Sequence, residues 1–258
     1  MLRFRSLGSG SMGNATLVEA TSGGRTSRLL IDCGFGLRHL DARLARAGLS
    51  AGDIDAVFIT HEHGDHIGCA RSLARRDRIP VWMSEGTWLA TGGHDYAGQL
   101  NLARDGMDIR VGDLLVQPFT VPHDAREPLQ LRCTDGARSL GVLTDLGHAT
   151  AHVLACLRGL DALLLEFNHD SDLLTTSAYP PFLKQRVGGN YGHLSNDAAA
   201  GIARAVHHSG LRHVLAAHLS EQNNRPEIVR RVMAEALGAS EDEMLTASAA
   251  EGSGWLDL

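Results

Sequence analysis

Along the whole chain, short apolar runs alternate with stretches whose apolar positions recur every three or four residues. LRFRSL, ATLVEA and SRLLIDCG read as strands, and GLRHLDARLARAGL reads as a helix that ends at Gly48. DAVFIT is a buried strand that runs straight into HEHGDH, with a helix then passing through CARSLARRD. Further strands are expected at IPVWM, LLVQPFTV, LQLRCTD, SLGVLTD, ALLLEF and HVLAAH, with helices near Thr150–Arg158, Asn196–His208 and Pro226–Leu237. Elements mixed in this order imply sheets covered by helices. No low-complexity linker divides them, so residues 1–258 are expected to form one domain. No internal sequence repeat is visible, which leaves room for two halves that are similar only in structure.

Composition narrows the class. Hydrophobic residues make up 43% and charged residues 21% of 258 positions, which excludes a disordered chain, a collagen-like repeat and a coiled coil. The formal charge is −6, and the single lysine, Lys184, stands among arginines that form no dense run. Binding to nucleic acid through net charge alone is therefore disfavoured, while a local basic groove stays open. Cys33, Cys69, Cys133 and Cys156 form no CxxC pair and are expected to be reduced, mostly buried thiols. The first residues have no apolar signal core and no stretch approaches a membrane span, so a soluble cytoplasmic protein without a membrane partner is expected.

The unusual number is 14 histidines, more than all Phe, Trp and Tyr together. Histidine is the commonest metal ligand and the usual acid or base at neutral pH. Four potential ligands, His61, His63, Asp65 and His66, crowd the end of the DAVFIT strand. His61 and His63, two apart in an extended turn, can point the same way, while Asp65 and His66 enter a first helical turn and face a neighbouring point. That spacing offers ligands to two metal ions. Three more candidates follow apolar strands: His123 after LLVQPFTVP, Asp145 at the end of SLGVLTD, and His218 at the end of HVLAAH.

Taken together, HxHxDH followed by a distant His, an Asp and a final His resembles the metallo-β-lactamase superfamily. The resemblance implies an α+β fold, a four-layer αββα sandwich with a dinuclear metal site at one edge of its two sheets. By position, it implies one metal on His61, His63 and His123, the other on Asp65, His66 and His218, and Asp145 bridging. Zinc is the first expectation, with Mn²⁺ or Fe²⁺ as alternatives. Two cations about 3.5–4 Å apart can share a hydroxide whose pKa falls towards about 7, which suits hydrolysis.

The substrate class is read from a later segment. Glu166, on the strand after Asp145, and the GHLS segment Gly192-His193-Leu194-Ser195 resemble the nucleic-acid phosphodiesterase side of the superfamily, including tRNase Z. A sugar hydroxyl leaves poorly as an alkoxide, so phosphodiester cleavage gains from a general acid. His193 is the candidate acid, Glu166 its partner, and Asp65 is counted as catalytic as well as a ligand. LGSGSMGN, LLIDCGF, THEHGDHIG, VPHDA, LTDLG, EFNHD, YPPFLKQR, GHLSN and AHLSEQNN resemble segments of the YycJ/WalJ group. This implies a 5′→3′ DNA exonuclease. The alternatives are a PhnP-like phosphodiesterase of small cyclic diesters and an acyl hydrolase of the glyoxalase II or lactonase type. The chain lacks the long arm with which tRNase Z grips tRNA, which disfavours tRNA maturation.

Around this centre, Lys184, Arg186, Asn14 and Ser195 are candidate substrate contacts, with Ser11 beside Asn14 in the same Gly-rich loop. His169 and Asp170 are candidate supports for the ligands. Asn224, before Arg225-Pro226, is expected to cap a helix. His39, His148, His152, His207, His208 and His213 are assigned no special role. His94-Asp95, in the Thr91–Gly98 loop, reads as a plain loop with an overhang of the site as its rival. No oligomeric state is implied, with a homodimer left open.

Overall fold

The apolar runs pair into two seven-stranded sheets. The computed structural model describes residues 1–258. The first sheet takes Leu2–Gly8 (β1), Ala15–Ser22 (β2), Arg25–Ile31 (β3), Ala56–Phe58 (β4), Val81–Ser84 (β5) and Leu100–Ala103 (β6). The second takes Ile109–Val111 (β7), Leu114–Thr120 (β8), Leu129–Thr134 (β9), Ser139–Leu143 (β10), Ala162–Glu166 (β11), His213–Ala217 (β12) and Leu245–Thr246 (β13). Leu256–Asp257 (β14) returns to pair with β1. In each sheet, antiparallel pairing through β3 or β10 gives way to parallel pairing afterwards. The two halves thus share a plan that no sequence repeat reveals.

The helices are Leu37–Arg46 (α1), Gly64–Ile67 (α2), Ala70–Asp77 (α3), Glu85–Ala90 (α4), Ala151–Cys156 (α5), Ser171–Thr176 (α6), Pro181–Val187 (α7), Asn196–Val206 (α8) and Pro226–Leu237 (α9). Three apolar cores separate four layers. Between the sheets, Phe4, Leu29, Ile31 and Phe58 meet Leu131, Leu140, Val142, Leu164 and Leu215. On the other face of the first sheet, Leu30, Val57 and Ile59 pack against Leu40 and Leu44 of α1 and Leu73 of α3. On the other face of the second, Leu163, Leu165 and Ala216 pack against Val153 of α5, Ile202 of α8 and Met233 of α9. Leu29, Leu30 and Ile31 face alternate cores because side chains on a strand alternate between faces. The expected αββα sandwich is what forms.

Two details differ from expectation. The helical turn that starts within HEHGDH does not run on into the helix through CARSLARRD, because Gly68, with φ of 28°, separates α2 from α3. Asn224 does not cap α9, whose N-cap is Arg225; the buried Asn224 side chain instead ties the Phe167 carbonyl (2.8 Å) to Asn196 (2.9 Å). No helix is long and apolar enough to cross a membrane.

Parallel strands end at a common edge, and this is what gathers the polar residues. Asp32 follows β3, His61 follows β4, Asp145 follows β10, Glu166 ends β11 and His218 follows β12.

Candidate metal centre

After β4 the chain stays extended through His63 and turns into α2 at Gly64. His61 and His63 therefore leave an extended segment, while Asp65 and His66 sit in the first helical turn. The structure brings all seven candidate ligands together. His61, His63, His123 and Asp145 form one group of close donor atoms, and Asp65, His66 and His218 a second. Asp145 faces both groups: its Oδ2 lies 3.2 Å from His61 Nε2, 3.1 Å from His66 Nε2 and 3.5 Å from His123 Nε2. Its other oxygen lies 2.5 Å from His218 Nδ1.

One ring nitrogen of several histidines is held from behind, which turns the other into the cluster. His66 Nδ1 donates to Asp32 Oδ2 (2.8 Å), His61 Nδ1 pairs with Thr60 Oγ1 (3.0 Å), and His123 Nδ1 donates to the Gly192 carbonyl (3.0 Å). Asp32 also accepts from the Thr60 amide (2.8 Å). Outer partners of this kind fix the tautomer and orientation of metal-binding imidazoles. Asp32 and His218 both adopt left-handed backbone, with φ of 59° and 55°. Such strain in non-glycine residues persists where the surrounding structure enforces it, often at functional sites.

The donor set fits divalent cations. His218 Nε2 and Asp145 Oδ1 are buried without a hydrogen-bond partner, the close approach to His218 Nδ1 lying off hydrogen-bond direction. His63 Nδ1 lies 3.0 Å from His61 Nε2 and 3.3 Å from His123 Nε2. Ring nitrogens converging on one point cannot all donate to one another, whereas a cation accepts all of their lone pairs. Charge points the same way. Burial lowers His66 and His218, but Asp145 and the other carboxylates outweigh it and hold both well above the usual imidazole range. Burial and the neighbouring His66 instead push His61 down to about 4. The carboxylates therefore demand positive charge that the imidazoles do not evenly supply.

His193 stands at the edge of the cluster, its ring 5.3 Å from those of both His123 and His218. Its Nδ1 donates to Glu166 Oε1 (2.7 Å). The other oxygen of fully buried Glu166 accepts from the amides of Leu146 (2.9 Å) and Leu194 (3.2 Å). Burial lowers His193, and the Glu166 charge reverses this, leaving it raised. Burial raises Glu166, and His193 outweighs that, leaving it lowered. A cavity of about 430 Å³ opens over the cluster, lined among others by Ser11, Asp65, Asp124, Tyr179, Arg186 and His193. Arg186 pairs with Asp124 across its mouth (2.6 Å).

The structure places the remaining candidates as follows. Lys184 lines a different cavity and donates to the Thr175 carbonyl (2.6 Å). Ser195 caps α8 by accepting from the Ala198 amide (3.2 Å), and Asp170 caps α6 by accepting from the Leu173 amide (2.9 Å), so neither side chain serves the cluster. His169 is buried, but no hydrogen bond joins its ring to Glu166 or to any ligand. Asn14 lies behind the site and orients it: its Nδ2 donates to Asp65 Oδ2 (3.3 Å) while its backbone amide donates to the Asp65 carbonyl (2.8 Å). The Thr91–Gly98 loop packs elsewhere, with the Asp95 carbonyl accepting from Arg71 (3.2 Å). Asp32 and Thr60 were not singled out as site residues. Their signal was present in their place at the ends of strands that lead into the site.

Residues 27–219 match the model of the β-lactamase superfamily domain. Exodeoxyribonuclease YycJ of Bacillus anthracis is 33% identical to this chain, over 92% of it and 89% of its own length. Exodeoxyribonuclease WalJ of Streptococcus pneumoniae is 30% identical over 93% of this chain and 89% of its own. The metallo-β-lactamase fold protein YhfI from Bacillus subtilis superposes over 100% of both chains with a TM-score of 0.76 at 17% identity, a likeness of fold.

Proposed function

The chain belongs to the β-lactamase superfamily domain family, and from that premise we propose that it is a metal-dependent phosphodiesterase, a DNA exonuclease of 5′→3′ polarity. Its likeness to two exodeoxyribonucleases along nine-tenths of its length supports a nucleic-acid substrate. The observation that carries the reading is the Glu166–His193 pair, bonded at 2.7 Å on the wall of the cavity into which the metal donors point. An acyl hydrolase expelling a thiolate gains little from such an acid, whereas a diester expelling a sugar alkoxide gains much.

In this proposal His61, His63 and His123 hold one divalent cation and Asp65, His66 and His218 the other, with Asp145 shared. Zinc suits the nitrogen-rich donor set, and manganese or iron(II) are the alternatives. Such cations supply Lewis acidity and a lowered pKa for water. The remaining work falls to side chains. Glu166 holds Nδ1 of His193, which fixes the ring so that Nε2 gives its proton to the leaving sugar oxygen. Burial raises the Asp65 carboxyl, but His218 and His66 outweigh it and hold it ionised, so in this proposal Asp65 accepts a hydrogen bond from the attacking water and orients it. Arg186 exchanges Asp124 for a substrate phosphate, a bidentate partner suited to a guanidinium. A cytoplasmic location belongs to the same proposal.

The test offers purified protein, loaded with zinc or manganese, three substrates: end-labelled DNA, a chromogenic phosphodiester and a thioester. Release of 5′-terminal nucleotides from DNA, abolished by a chelator and restored by metal, is the expected result. Thioester turnover without diester turnover would overturn the assignment, and release from the 3′ end would overturn the polarity.

A further inference from the structure

Phe182 and Tyr191 are the two exposed side chains among Phe, Tyr and Trp, 72% and 62% accessible, and each is next in sequence to a residue that lines the metal cavity. On α7, Leu183, Arg186 and Val187 line that cavity. Phe182 precedes Arg186 by four positions and so stands on the same side of the helix. Tyr191 directly precedes Gly192 and His193, which also line the cavity. The His193 amide donates to the Val187 carbonyl (2.8 Å), folding the chain after α7 back towards the helix. The Tyr191 ring meets His148 edge to face at 6.4 Å, and His148 Nδ1 donates to the Asn190 carbonyl (2.8 Å), so the ring has a fixed neighbour.

We propose that Phe182 and Tyr191 are stacking platforms for the unpaired bases of a single-stranded end whose phosphate enters the cavity. This rests on the phosphodiesterase reading and names the form of its substrate. Three observations favour it over a protein partner. The two residues lie apart on the chain, on α7 and in the turn after it; the cationic Arg186 lies four positions after Phe182 on α7 and lines the cavity; and the residues next to both rings line the cavity that leads to the metal donors. A duplex hides its base faces in its own stack, whereas an unpaired end presents them to aromatic side chains. Every base has such a face, so the platforms select strandedness with little regard to sequence.

The experiment measures binding of the metal-loaded protein to a 5′-phosphorylated single strand carrying phosphorothioate linkages against cleavage and a 3′ fluorophore. A second strand carries abasic residues at its first positions. Phe182→Ala and Tyr191→Ala are each expected to weaken binding of the natural strand by about tenfold and to leave the abasic strand unaffected. Phe182→Trp is expected to bind like the wild type. Both rings are exposed, so thermal melting should not change. Equal losses on both strands, or no loss on either, would overturn the inference while leaving the phosphodiesterase reading intact if the wild type still cleaves ordinary DNA. A wild type that neither binds nor cleaves any strand would overturn both.

Discussion

Glu166 holds His193 by a 2.7 Å hydrogen bond to Nδ1, and the same oxygen lies 3.3 Å from Nδ1 of His218. One fully buried carboxylate thus orients both the candidate acid and a candidate ligand. Its second oxygen is occupied by two backbone amides, so the carboxylate cannot rotate to favour one imidazole over the other. The acid is therefore fixed relative to the metal donors by the strand that ends at Glu166.

His193→Ala should lower kcat on DNA by about 10²- to 10⁴-fold, the usual contribution of a general acid. The loss should shrink on a diester whose leaving group needs no proton, such as a nitrophenolate. Glu166→Gln should follow the same pattern. Rates measured on both substrate types check this, and an equal loss on each would show that His193 does something other than protonate the leaving group.

Asp32→Asn should weaken metal binding about 10- to 100-fold, because the charge behind His66 is lost while the side-chain shape is kept. Competition with a chromogenic chelator measures the affinity directly. The Thr60 amide would still find a carbonyl oxygen, so circular dichroism should show an intact fold. Unaltered affinity would mean that the left-handed Asp32 serves the backbone alone.

The fold was legible wherever an apolar run was long enough to show its period. β4, β10 and β12 follow from such runs, and their ends point to His61, Asp145 and His218. The elements that escaped are short: α4, β6, β7, α6 and α7 span three to seven residues, too few for a period to rise above chance. The site was readable where a residue type is itself chemical evidence, as with the histidines. Asp32 acts through a hydrogen bond to His66, far along the chain, and only its place at the end of a strand sets it apart from a turn residue. Ser195 and Asp170 err in the opposite direction: both are good N-cap residues, and capping is what they do.

A stabilising charge pair away from the site gives a pH dependence of definite sign. Asp161 accepts from Arg138 Nη1 (2.7 Å) and from the Ser139 amide (2.8 Å). Burial raises its carboxyl, and these partners outweigh burial and hold it below the usual value. A depressed carboxylate stabilises the fold above its unfolded pKa of about 3.9, and the contribution is lost as pH falls through the folded value. Asp161→Asn should therefore cost about 1–2 kcal/mol at pH 7 and less at pH 3. Urea unfolding of both proteins in chelator at the two pH values checks this, and a cost that grows on acidification would contradict the sign.

Gly34 joins the fold to the metal centre through backbone contact. A Cβ there would lie 1.7 Å from the Asp65 carbonyl oxygen, and backbone atoms on both sides leave no flexible side chain to move aside. The contact is close because the Asn14 carbonyl accepts from the Gly34 amide (2.9 Å) and the His66 carbonyl accepts from the Cys33 amide (2.9 Å), drawing the end of β3 onto α2. Gly34→Ala must displace the turn that carries Asp65 and His66, at a cost of about 3 kcal/mol or more. Gly36→Ala, two residues on with open space around its Cβ position, should be nearly neutral. Thermal melting and metal affinity should fall together in the first variant and in neither measure for the second. If Gly34→Ala melts like Gly36→Ala and still binds metal, the strand end and the metal turn are not mechanically joined, and the position of Asp65 is set by Asn14 alone.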